Sequence, residues 1–198
     1  MTAAKLPVLA FDNYVAWDEW LARNGPKSAG LWLKLAKRGA PRQTLTKSEA
    51  VEAALRHGWI DGQLAKHDEH YFLVRFTPRR PGSKWSSINR ETANRLIADG
   101  RMTASGLREV HAAIADGRWA AAYAPQSRAE PPADLKVALN ANGVAKRAFD
   151  ELDATNRYAV IYRVQEAKKP ETRARRIAQY VDMLTRGETI HPRKVKKV

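Results

Sequence analysis

The sequence predicts an α+β fold: a small mixed or antiparallel sheet with packed helices over residues 1–130, then an all-helical module over 131–190. Three observations predict it. Alternation of apolar and polar residues marks half-buried strands in the first part, as in "LWLKLA". Segments of helical period, with capping signals at both ends, run between and after those strands. A loop rich in proline and small residues, "APQSRAEPPAD" (124–134), then separates the mixed half from one that shows only the helical period.

In chain order, "LPVLAF" (6–11) reads as a short strand. "DNYVAWDEWLARNG" reads as a helix with Asp12 as cap, Trp17, Trp20 and Leu21 on one face, and Gly25 at its end. "AGLWLKLAKRG" sets Leu31, Leu33 and Leu35 against Trp32, Lys34 and Ala36, a strand ending in a turn at Gly39. "TKSEAVEAALRHG" opens on a capping box, Thr46 to Glu49, turns Ala50, Val51, Ala54 and Leu55 inward, and stops at Gly58. "WIDGQLA" and "HYFLVRFTP" read as paired strands joined around Lys66–Glu69. "SSINRETANRLIADG" reads as a helix with Ile88, Leu96 and Ile97 inward, and short helical pieces follow through "SGLREVHAAIADGRW". Beyond the loop, helices are expected near 134–141, 144–153, 155–168 and 171–186. The last has Pro170 in its first turn and a stripe of Ala174, Ile177, Val181 and Leu184. Residues 191–198 read as a basic tail expected to be disordered.

The chain has 198 residues, enough to bury a sizeable core, and a formal net charge of +14. That charge favours polyanions at long range: nucleic acid, anionic lipid or phosphorylated small molecules. The bland alternative is an arginine-rich, solubilising surface. Cysteine is absent, which excludes disulfides, thiolate chemistry and cysteine-ligated zinc. The amino terminus lacks an export signal and no apolar run approaches a membrane span, so a cytoplasmic location is expected.

"LWLKLAKRG", "HGWIDGQ", "RFTPRRPGSKWSSINRETANRLIADGRM" and "NRYAVIYRVQEAKKPETRARRIAQYVDMLTRGE" resemble the bacterial YdeI/OmpD-associated family, also labelled bacteriocin-protection proteins. The resemblance runs from about Leu6 to Pro192. Residues 135–188 resemble a helical module that members attach to different amino-terminal domains. It implies a stress or antimicrobial-peptide-protection accessory, association with an outer-membrane porin, and a periplasmic setting. It brings no catalytic set and no cofactor.

From the residues themselves, the first candidate site lies in "RFTPRRPGSKWSSIN". Arg75 stands on a strand, Arg79, Arg80 and Lys84 on the loop after it. Trp85, the tryptophan best placed to stack on a ligand, precedes a helix opened by Ser86 and Ser87, with Asn89 in its first turn. Helix amides, hydroxyls and guanidinium groups together make a cradle for phosphate, sulfate or carboxylate. The competing interpretation is a serine-capped helix with solvated arginines. A glycine-rich Walker pattern is absent. The second candidate is "HGWIDG", where Asp61 with His57 can serve as acid or base; Asp61 can equally pair with an arginine of the neighbouring strand. These residues frame three functions: a non-enzymatic anion-binding accessory, a sequence-tolerant and weak nucleic-acid binder, or an enzyme using Asp61 against an Arg75/Arg79/Arg80 clamp. His67 and His70 are three apart, yet the histidines show no metal-ligand pattern and no metal is expected. Arg173, Arg175 and Arg176 either contact phosphates or pair with acids of neighbouring helices.

Overall fold

The computed structural model describes residues 6–192; most of the tail expected at 191–198 lies outside them. The chain folds as two compact units, Met1–Ala122 and Tyr123–Val198.

The first unit carries a four-stranded mixed sheet in the order β1-β2-β4-β3. β1 (Val8–Leu9) runs parallel to β2 (Leu31–Ala36), and the intervening helix α1 (Tyr14–Asn24) makes the crossover. β4 (Tyr71–Pro78) is antiparallel to both β2 and β3 (Trp59–Lys66), with a bulge in β3 between Asp61 and Leu64. α2 (Lys47–Arg56) has the full capping box: Thr46 Oγ1 accepts from the Glu49 amide, and the Glu49 carboxylate accepts from the Thr46 amide at 2.7 Å. Leu31, Leu33, Leu35, Val74 and Phe76 are fully buried beneath α1 and α2, around Trp17 and Trp59. α3 (Ser87–Ala98) and α4 (Ala104–Ala115) close a second core over Leu55, Trp85 and Leu96.

Four local expectations change. The first strand is two residues long. The cap of α1 is Asn13, whose side chain accepts from the Ala16 amide at 3.0 Å, while Asp12 pairs with Arg42. The inward stripe of α3 is Ala93 and Leu96; Ile88 and Ile97 are 47% and 38% exposed. At about 100° per residue the two isoleucines fall to either side of a stripe centred on Ala93 and Leu96. The short pieces after Arg101 form one continuous helix, α4, capped by Thr103.

In the second unit, α5 (Ala133–Asn140), α6 (Gly143–Asp150), α7 (Ala154–Gln165) and α8 (Pro170–Thr185) follow a short 3-10 turn at Gln126–Arg128. Their core includes Leu135, Phe149, Leu152, Ile161, Ile177 and Leu184; Val181 packs at its margin and Tyr180 is buried. Among the described residues no helix is long and apolar enough to cross a membrane.

Candidate functional site

The strand β4 ends at Pro78, and the Arg79 amide donates to the Gly58 carbonyl at 3.0 Å. The loop then turns tightly: the Ser83 amide donates to the Arg80 carbonyl, and the Arg80 amide to Ser83 Oγ. Gly82 at the bend has a φ of +79°. The turn folds the chain back over the Arg79 side chain, whose Nη1 donates to the Lys84 carbonyl at 3.2 Å. Its guanidinium lies over the Trp85 ring at 3.7 Å. Arg79 is 6% exposed and Trp85 2%. Trp85 therefore has no face open to a ligand; it packs edge-on against Trp119 and supports Arg79. Both placements correct the expectation of a solvent-facing loop. Arginine carries its charge on a plane that stacks on an aromatic ring, which lets the pair enter the core together.

The remaining residues of that segment separate. Arg80 and Lys84 are exposed, and Ser87 and Asn89 are half-buried. Ser86 caps α3, its Oγ accepting from the Asn89 amide at 3.1 Å. Arg75 leaves the group altogether. Asp61 is paired with the buried Phe76 and so projects from the helix-covered side of the sheet. Arg75, one residue earlier, projects from the other side, opposite Trp32. Asp61 instead meets Lys47 at 3.5 Å, at the start of α2, whereas Arg79 sits beside Gly58, past the end of that helix. The proposed acid and its arginine clamp do not converge.

What does converge is a cleft of about 230 Å³ at the far end of α2, lined by Gly25, His57, Gly58, Arg79, Ser105, Arg108 and Glu109 among others. Two glycines permit it. Gly58 has a φ of +76°, and a Cβ there would lie 2.9 Å from the Ser105 carbonyl oxygen. A Cβ on Gly106 would lie 2.4 Å from the Arg56 carbonyl oxygen. The start of α4 can thus press on the end of α2, where Thr103 Oγ1 donates to the Arg56 carbonyl at 2.6 Å.

His57 enters the cleft held from behind. Its Nε2 is 2.9 Å from Asp18 Oδ1, and Arg56 pairs with the other carboxylate oxygen. Burial pushes the Asp18 carboxyl up, but the hydrogen bonds from Arg56 and His57 outweigh it and hold the group below its ordinary value. With Asp18 accepting from Nε2, the imidazole Nδ1 is the nitrogen left for other chemistry. The Ser105 hydroxyl bonds to Thr103 at 2.8 Å rather than to His57, so a nucleophilic triad is not assembled.

Asp18 and Arg108 escaped the sequence reading. Asp18 lies 39 positions from His57, and nothing local distinguishes it from its neighbour Glu19. In the second unit Arg173 pairs with Asp134 and also donates to the Val164 carbonyl. His67 and His70 contact Asp68 and Glu69, and among the described residues no three such groups gather as a metal site.

No curated protein and no solved structure matches the chain. Two families do. Residues 9–109 match the family described as Domain of unknown function (DUF8412), a span that holds the whole cleft. Residues 128–187 match the family described as Bacteriocin-protection, YdeI or OmpD-Associated. The chain therefore belongs to the first family through its sheet-bearing half, and its helical half is a YdeI or OmpD-associated, bacteriocin-protection domain.

Proposed function

We propose that the chain is a non-enzymatic accessory of stress or antimicrobial-peptide protection that binds a small anionic ligand, bearing phosphate or carboxylate, in the His57–Arg79–Arg108 cleft. The observation that carries the reading is the cleft lining, in which two arginines, Arg79 and Arg108, meet beside His57. Arg79 is held on Trp85 with its Nη1 given to the Lys84 carbonyl, so it contributes a fixed positive charge to the cleft wall that favours an anion electrostatically. Arg108 adds a second cation, and Glu109 rejects anions that cannot keep clear of it. The protective role is supported by the family of residues 128–187, and OmpD association enters by that route alone.

The test is titration of inorganic phosphate and of small carboxylates, followed by amide shifts, on wild type and Arg108→Gln. Loss of one charged hydrogen bond should weaken binding at least about tenfold. Equal binding by the variant, or shifts spread over surface lysines, would sink the reading. A second reading rests on the Asp18–His57 pair, which orients an imidazole into the same cleft as an enzyme's base would be. It predicts turnover of an anionic ester that His57→Gln abolishes while phosphate still binds.

A further inference from the structure

The opposite side of the sheet carries a separate group of residues. Cross-strand register places Val8, Trp32 and Arg75 in one row, Lys34 beside Leu73 in the next pair, and Ala36 beside Tyr71 after that. Their chain neighbours Leu31, Leu33, Leu35, Val74 and Phe76 are at most 1% exposed on the other side. Trp32, Leu73 and Tyr71 are half-buried and belong to none of the three hydrophobic cores. Trp32 makes no ring contact with another aromatic residue among the described residues. A tryptophan left out of a core that holds Trp17, Trp59 and Phe76 needs a reason.

The charges beside it supply one. Arg75 stands directly across from Trp32, and its Nε lies 3.8 Å from where a Cβ on Gly62 would be. The adjoining strand therefore adds no side chain there to screen it. Lys34 Nζ sits 4.7 Å above the Tyr71 ring. Neither Arg75 nor Lys34 has a carboxylate partner among the described residues; Asp12, which lines a cavity with Lys34 and Tyr71, is paired with Arg42. A flat aromatic ring, flanked by unpaired cations on a protein of net charge +14, complements a chain of phosphates carrying stackable bases. Duplex DNA buries its base faces, so a single strand fits better.

We propose that this sheet face, centred on Trp32 and Arg75, binds single-stranded nucleic acid without sequence preference. Bases stack on Trp32 while Arg75 and Lys34 hold adjacent phosphates. The site is distinct from the His57–Arg79–Arg108 cleft, which opens from the helix-covered side.

The experiment is fluorescence anisotropy of a labelled twelve-nucleotide oligothymidylate at several salt concentrations, with a matched duplex and a heparin fragment as competitors. Trp32→Ala should weaken the oligonucleotide about tenfold and leave heparin affinity unchanged, and Trp32→Phe should restore most of the loss. Arg75→Gln should lower the salt slope by about 0.7, the single-strand value for one phosphate. Trp32→Ala and Trp32→Phe binding like wild type would overturn the proposal. So would heparin or duplex competing as well as the single strand, which marks a plain polyanion surface. Circular dichroism of each variant checks the fold, and if Trp32→Ala fails to fold, the Arg75→Gln salt slope and the heparin and duplex competitions decide.

Discussion

Asp18 is a carboxylate whose two oxygens are taken by Arg56 and His57, with 18% of its side chain exposed. Asp18→Asn keeps the shape and removes the charge that both partners address, so it should cost about 1–3 kcal/mol. The sign with pH follows from the lowered folded-state value. The pairing contributes fully above the unfolded carboxylate pKa, about 3.9, and is lost as pH falls through the lower folded value. Urea midpoints of wild type and Asp18→Asn should therefore approach one another as pH drops from about 5 to about 2. A constant difference would show that the charge is not what stabilises. Asp134 shifts in the same direction, chiefly through its hydrogen bond from Arg173, but its side chain is 45% exposed. Solvent screens that pair, so Asp134→Asn should change stability by less than about 1 kcal/mol.

Helix α2 tests how far local rules go. Thr46→Ala removes one half of the capping box and should cost about 1 kcal/mol, read as a shift of the thermal midpoint. The other end of the same helix is stricter. Gly58→Ala forces a side chain onto a φ of +76° and against the Ser105 carbonyl, and a loss of about 1–3 kcal/mol is expected. The box was legible because all its partners lie within four residues. The stop at Gly58 was legible too, as a helix terminator. That α4 presses on it was not, because Ser105 arrives from 47 positions away. The strands read well for the same reason as the box: a period of two needs only a few consecutive residues. In α3 Leu96 turns inward as its type suggests, but the two isoleucines do not: isoleucine signals burial in a sequence while alanine at position 93 signals nothing.

Each unit has its own core, with Phe149 2% exposed at the centre of the second. Phe149→Ala should cost that unit about 3–5 kcal/mol. Differential scanning calorimetry should then show one transition moved down and the other in place, since the core around Trp17 and Phe76 holds none of the same residues. A single transition that moves as a whole would mean that the units unfold together.

The sequence by itself determined the α+β class, the paired strands, the capped helices and the helical carboxyl-terminal module. These depend on periods and caps read within one element. It also determined that the chain is strongly basic and that "RFTPRRPGSKWSSIN" concentrates cations. Only the tertiary structure decided which of those cations share a site. The parity of β4 sends Arg75 to one side of the sheet, while the turn after Pro78 tucks Arg79 onto Trp85 at the other. Packing likewise buried Trp85, which the sequence places best to stack on a ligand, and left Trp32 outside the cores. The reason is physical: a side chain's period fixes the face it takes on its own element, but its neighbours across that face come from segments tens of residues away.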